Sequence, residues 1–409
     1  MGLGRGFGWL WASYSVSTFG TFLAFNAFPL IAILVLGTGA TGVALLAAVG
    51  QTVGVVVAVP LGPWVEFRRK RTVMVGMDLT RFAAMASVPV AYALGWLTLV
   101  QLLVVSAVVA AADITYRAAA GACLTALVAP GDLLVANGRL ESTTWIATAV
   151  GPPLGTAAFG LFGPVVTVVA DAISYLLSAL GIRAIGRTEP KPVRATSGVS
   201  RGELLEGWRY LLAHPVLRPL LFNTVAVNAL IMVTAPLLAV LMLADLGFAP
   251  WQYGLVFTVP CLGGLLGSRL VGRLAQRYGA HRVMVVSGVL RALWPIGLAF
   301  VGPGVGGLVL VAVVEFGLIA CVGVFNPLQA TYRLRHVPAD RVARTQSAWS
   351  ITGKAVTAAS TALWGVLAEL TSARAAIAVA GILILLTPVL LPRREIVSPE
   401  PERQDTPVG

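Results

Sequence analysis

Twelve apolar runs follow one another along this chain, joined mostly by short polar connections. They lie at 9–36, 43–64, 72–94, 97–119, 139–161, 164–186, 217–243, 252–274, 282–301, 305–330, 343–367 and 373–391. A bilayer core about 30 Å thick asks for roughly 20 apolar residues per helix. Lipid-exposed backbone must bond to itself, so runs of this length and spacing read as helices and not as a barrel. A water-soluble exterior could not be made from 57% hydrophobic and 11% charged residues, at a mean hydropathy of +0.87. The expected fold class is an all-α membrane protein with 12 transmembrane helices.

The net charge of +12 is distributed by topology and does not indicate nucleic-acid binding. Arg68, Arg69, Lys70 and Arg71 follow the second run, and Arg117 and Arg139 flank the connection after the fourth. Arg183, Arg187, Lys191, Arg194, Arg201 and Arg209 occupy the central segment. Arg273, Arg277 and Arg282 follow the eighth run; Arg333, Arg335, Arg341 and Arg344 follow the tenth. On the opposite side only Arg374 is found. The positive-inside rule then predicts a multi-pass protein of the inner (plasma) membrane with both termini in the cytoplasm. Met1–Gly8 carries only Arg5 and leads into a span too long for a signal-peptide core, so no cleavable signal is expected.

The two halves repeat. Gly62 opens GPWVEFRRKRTVMVGMDLTR, and Gly272 opens GRLAQRYGAHRVMVVSGVLR at an offset of 210. That offset superposes Met74 on Met284 and Arg81 on Arg291. PLIAILVL from Pro29 matches PLLAVLML from Pro236, and PGD from Pro130 matches PAD from Pro338. Such a repeat predicts two pseudo-symmetric six-helix bundles with a binding site between them. The expected organisation is a bundle over 1–186, a linker over 187–213, a second bundle over 214–392 and a disordered tail over 393–409. Within the linker, GELLEGWRYLLAHP has apolar residues at helical spacing and reads as a helix along the membrane surface.

These motifs resemble the major facilitator superfamily, and within it the exporter branch of siderophore and macrolide efflux proteins. The likeness runs to about residue 392. The superfamily's loop motif is matched by Gly62, Glu66 where Asp is usual, and the basic run to Arg71. Its second copy keeps Gly272, Arg277, Gly279 and Arg282, with Gln276 in place of the acid. The resemblance extends over LTALVAPGDLLVANGRLES from Leu124, EGWRYLLAHPVLRPLL from Glu206 and NPLQATYRLRHVPADRVARTQS from Asn326. GPPLG, with Gly151, Pro152 and Gly155, is similar to the fifth-helix motif of drug–proton antiporters. The branch often has an acid in the first helix just after a glycine; here Thr21 follows Gly20.

Seven ionisable residues stand out within the spans: Asp78, Arg81, Asp113, Asp171, Arg291, Glu315 and Lys354. A charge at the bilayer centre costs roughly 2.5–3.5 kcal/mol on insertion scales, so each needs a packing or functional offset. Asp78 and Arg81 share a helix face near the basic loop. They read as part of a cytoplasmic gate with Gly62, Glu66, Arg71, Gly272, Arg277, Arg282 and Arg291, or as a static ion-pair network. Glu315 and Lys354 sit mid-span: either they pair, or Glu315 cycles a proton in the cavity. Asp113, in the cytoplasmic third of its span, is a proton or substrate candidate, or a solvated helix end. Asp171 reads as chiefly structural. Asn26, Thr21, Asn223 and Asn228 add polar points that serve more often in helix packing than in binding.

Cys123, Cys261 and Cys321 lack metal-ligand spacing, and His214, His281 and His336 all fall in loop-side segments. No P-loop, zinc-ligand or nucleophile–base constellation is present, so no enzyme activity and no cofactor are expected. The expected function is secondary active export of a small hydrophobic or amphipathic molecule by proton antiport. The expected partners are that small-molecule substrate, protons and the lipid bilayer, with no nucleic acid and the chain acting as a monomer. Uptake, or a non-transporting sensor or assembly partner of the same fold, are the rival readings.

Overall fold

The structure is a computed structural model that describes residues 3–25, 27–38, 68–163, 165–186, 205–338 and 340–392, with Leu46, Val56 and Val65. Asn26, Gly62 and Glu66, most of the second expected span, the first part of the central linker and the tail from 393 lie outside the described residues. Among the described residues every regular element is helical. Nine helical segments among these residues have the length and apolar character to cross a membrane.

The helices are α1 (Gly4–Leu23), α2 (Ala27–Leu34), α3 (Lys70–Ala93), α4 (Leu99–Leu127), α5 (Leu133–Phe162) and α6 (Val166–Arg183) in the first half. The short α7 (Glu206–Ala213) precedes the second half. That half comprises α8 (Leu217–Ala239), α9 (Pro250–Tyr278), α10 (Ala280–Leu293), α11 (Gly304–His336), α12 (Val342–Leu370) and α13 (Ala373–Leu386). Helices α9 and α12, 29 residues each, are more polar than their neighbours.

Repeated sequence gives repeated irregularity. The first expected span is two helices, because Pro29 has no N–H to bond back and its ring crowds the carbonyl four residues earlier. The chain turns at Ala24–Phe25 and restarts with Pro29 in the first turn of α2. Its mate Pro236 stays inside α8, which then widens into a π-helical stretch, Val240–Asp245. Between α9 and α10 the turn is made by Gly279 at φ 85°, a conformation costly for residues with a Cβ. In the first half the corresponding residue, Arg69, is extended at φ −62°.

Several helices overrun the apolar runs that announce them. Helix α4 continues to Leu127, so Arg117, expected in a loop, is a helical residue. Helix α5 begins at Leu133, six residues before the expected span. The linker helix forms as α7, but its buried side, Gly207 and Leu211, packs against protein. Trp208 Nε1 donates to Thr352 Oγ1 (2.9 Å) on α12, and Tyr210 Oη donates to the His336 carbonyl (2.9 Å). Glu206 is ion-paired with Arg344.

The apolar cores describe how the halves meet. At the end away from the basic loops each half has its own core. Ile31, Met85, Leu102, Val168 and Tyr175 belong to one, and Leu237, Leu298, Val311, Ile377 and Ala380 to the other. At the basic end one cluster takes residues from both halves, including Leu10, Met74, Tyr116, Leu217, Phe325 and Trp349. A small cluster of Ile114 and Ile351 also joins the halves midway; among the described residues they share no core at the far end.

Candidate functional site

Asp113 sits midway along α4, not in its basic-end third, and is the centre of a charge cluster. Its Oδ2 accepts from Arg117 Nε (2.9 Å), one turn on. Lys354 Nζ of α12, from the other half, lies 3.7 Å from the same oxygen. Arg81 Nη1 of α3 lies 3.6 Å from Oδ1. Arg81 also pairs with Asp78, whose Oδ2 accepts from Ser178 Oγ (2.7 Å) on α6. The Arg81 guanidinium lies over the rings of Tyr116 (4.5 Å) and Tyr175 (4.4 Å). Asp78 and Arg81 are thus buried among α3, α4 and α6 and turn toward Asp113. Lys354 pairs with Asp113 and not with Glu315. Glu315 has no hydrogen bond or ion pair among the described residues.

Asp171 is buried and polar-bonded. It accepts from Ser174 Oγ (3.3 Å) and from Thr21 Oγ1 (3.4 Å), and Thr21 also bonds Tyr175 Oη (2.9 Å). The first helix lacks an acid after Gly20, and α6 brings one beside it.

Two cavities flank the cluster, and Arg117 lines both. The larger, about 430 Å³, lies between the halves toward the basic end. Its walls include Leu10, Tyr116 and Glu141 from the first half, and Thr224, Asn326 and Arg333 from the second. The other, about 340 Å³, is lined by Thr21, Phe25, Met85, Asp113, Asp171 and Lys354.

Glu141 has no counterpart among the ionisable residues singled out from the sequence. Its Oε1 accepts from Trp145 Nε1 (3.0 Å) and, across the interface, from Asn326 Nδ2 (2.9 Å). The signal was present in the two stretches beginning at Leu124 and Asn326, which the fold sets face to face. Further bonds cross nearby: Asn137 Nδ2 to Thr331 Oγ1 (2.9 Å), Ser142 Oγ with Ser268 Oγ (2.8 Å), and Arg335 Nη2 to the Pro130 carbonyl (2.7 Å). Small residues permit this closeness. A Cβ on Gly138 would sit 3.1 Å from the Ser268 carbonyl, and one on Gly264 would enter the Trp145 ring.

Among the described residues, the expected gate residues make separate contacts, and Gly62 and Glu66 lie outside them. Arg71 Nη1 donates to the Ile185 carbonyl (2.9 Å), tying α3 to the end of α6. Arg277 lies over Tyr278 (5.3 Å), Arg282 borders an apolar groove, and a Cβ on Gly272 would meet open space. Arg291 is fully buried over the Phe325 ring (3.5 Å) and donates to Asn223 Oδ1 (2.6 Å). The repeat puts Gly288 where the first half has Asp78, so an amide takes the place of the carboxylate. In the antiporter-like motif, Gly151 and Gly155 let α5 approach the end of α1 at Phe22 and Leu23, and Pro152 lies inside α5.

The sequence model of the Major Facilitator Superfamily matches residues 10–235 and 220–408. The chain belongs to the major facilitator superfamily, and its fold is that of a multi-pass membrane transporter. A Bacillus subtilis (strain 168) protein, the uncharacterized MFS-type transporter YvqJ, is 27% identical over 292 residues, covering 70% of this chain and 68% of that protein. Among solved structures, a bacterial homologue of the iron transporter ferroportin in an outward-facing state superposes with TM-score 0.80 at 16% identity, covering 95% of this chain and 98% of that one. The human organic anion transporter MFSD10 (TETRAN) gives 0.77 at 13%, covering 96% and 100%. At these identities the likeness is one of fold.

Proposed function

We propose that this protein is a secondary active exporter of a small hydrophobic or amphipathic molecule, such as a drug, natural product or siderophore, driven by proton antiport. We place it in the plasma membrane as a monomer with both termini in the cytoplasm. The observation that carries the reading is the Asp113–Lys354 pair, a charge contact between halves that lines the smaller cavity beside Arg117, which borders both cavities. Rocking the halves apart at the basic end would break this pair together with the Glu141–Asn326 bond. A proton arriving on Asp113 would remove the charge that holds Lys354 and loosen the same tie. Glu315, with no cation beside it among the described residues, is the second candidate for the coupling proton. The motifs that resemble drug and siderophore exporters support the outward direction. The larger cavity mixes Leu, Trp and Pro surface with Asn, Gln and charged groups, which suits an amphipathic cargo.

The test is flux of fluorescent amphiphiles in proteoliposomes under an imposed proton gradient. Gradient-driven efflux should disappear in Asp113→Asn and lose its gradient dependence in Glu315→Gln. Gradient-independent movement by the native protein, or wild-type rates in both variants, would remove the antiport reading.

A further inference from the structure

The larger cavity has a wall that its own protein does not satisfy. Asn326, Gln329, Ala330 and Arg333 all line it. Their spacings of three, four and seven put them on one face of α11. Asn326 is used by Glu141, but Gln329 and Arg333 are not used in this way. Gln329 is 6% exposed and its Nε2 makes no hydrogen bond; the Arg333 Nε is likewise buried and unbonded. Across the cavity on α8, Thr224 is 5% exposed with its hydroxyl unbonded. Arg333 lies over the Trp349 ring at 4.6 Å and has no acidic partner among the described residues.

A guanidinium this near the end of a spanning helix ordinarily snorkels to the interface. Arg335 does reach away, to the Pro130 carbonyl, whereas Arg333 borders the cavity. The unbonded groups are two N–H donors and a hydroxyl, so the wall is short of acceptors. Glu141, the acid in this lining, is engaged about 10 Å away along α11, seven residues at 1.5 Å each from Arg333.

We infer that this cavity binds an organic anion: a carboxylate held by Arg333, Gln329 and Thr224, on an apolar body that packs against Leu124, Leu334 and Trp349. This substrate class rests on the transport reading above for its physiological meaning, but the binding stands apart from it. The general chemistry is that of charge-assisted hydrogen bonds: a guanidinium bonds a carboxylate, where both partners are charged, more strongly than a neutral amide, and it repels a cation.

The experiment uses the full chain in nanodiscs of zwitterionic lipid, with empty nanodiscs as background and no ion gradient. Three matched probes are titrated calorimetrically: 2-naphthoate, 2-naphthamide and 2-naphthylmethylammonium. Naphthoate should bind at least about tenfold tighter than the amide, a step of the size expected for one charge-assisted contact. Arg333→Gln should abolish that preference, and Arg333→Lys should keep part of it, which separates charge from folding. Equal binding of the three probes, binding by none, preference for the ammonium, or a preference that survives Arg333→Gln would overturn the inference. An anion preference in a protein that moves nothing in proteoliposomes would leave the site standing and remove the transport reading. Gradient-driven flux without an anion preference would do the reverse.

Discussion

Asp113 holds its position through three cations, and magnitudes decide what that arrangement is for. A charge pair at about 4 Å in an effective dielectric near 20 gains about 4 kcal/mol. Placing one charge at the bilayer centre costs about 2.5–3.5 kcal/mol. The cluster therefore comes close to balance and is poorly explained as a source of stability. It is better suited to a contact that forms in one state and breaks in another. Removing the shared carboxylate is a different matter, because it strands several cations at once. Asp113→Asn should lower unfolding stability by about 1–3 kcal/mol, less than a fully buried pair would lose because Asp113 is 24% exposed. Lys354→Met should change stability by less than about 1 kcal/mol, since Asp113 keeps Arg117 and Arg81. Denaturation of the purified variants checks both, and equal losses would contradict the shared-carboxylate account.

At the scale of elements, the apolar runs announced most of the spans, because a hydropathy window measures the length of chain that faces lipid. It does not measure helix length. Helices α4, α5 and α11 run on toward the basic end where they are screened by the other half, and there they carry Arg117, Asn137, Glu141 and Arg333. Arg117 and Arg333 read as loop charges, Asn137 and Glu141 were not singled out, and part of the site was hidden for that reason. Cross-half pairings such as Glu141 with Asn326 depend on a fold-level meeting of distant segments that no local spacing encodes. Asp78 and Arg81 were legible as a pair, but their turn toward Asp113 was not. The glycines at the helix crossings supply a direct test. Gly264→Val would drive a side chain into the Trp145 ring and should force the basic end apart at a cost of about 1–3 kcal/mol. Gly353→Ala, with nothing within 4 Å, should be neutral or slightly stabilising. Thiol-labelling rates at the basic end distinguish the two; equal rates would contradict the contact.

The junction between α7 and α8 carries a pH dependence of its own. His214 Nδ1 accepts from the backbone N–H of Val216 and Leu217 (3.3 Å each), capping α8. Burial, and then the neighbouring His336 with its ring 6.0 Å away, hold His214 below its ordinary range. The folded protein thus prefers the neutral ring. This contribution is fully present above the unfolded value of about 6.5 and is lost as pH falls from there through the lowered folded value. Thermal midpoints should fall from pH 7 to 5.5, and His214→Asn, which can cap without titrating, should reduce the fall. An unchanged slope would contradict this role.

For the whole molecule, one shared core at the basic end and two separate cores at the other describe a protein closed on one side. Transport by alternating access requires that this closure be reversible and coupled to the opposite end. Spin labels at Val135 and Gln276 would report the basic end, and labels at Leu161 and Leu370 the far end; all four positions are exposed. Double electron–electron resonance in lipid should find two distance populations for each pair. Asp113→Asn should lengthen the basic-end distance and shorten the far-end distance by the same population shift. A single distance at each end, or a basic-end change with the far end unmoved, would contradict the account.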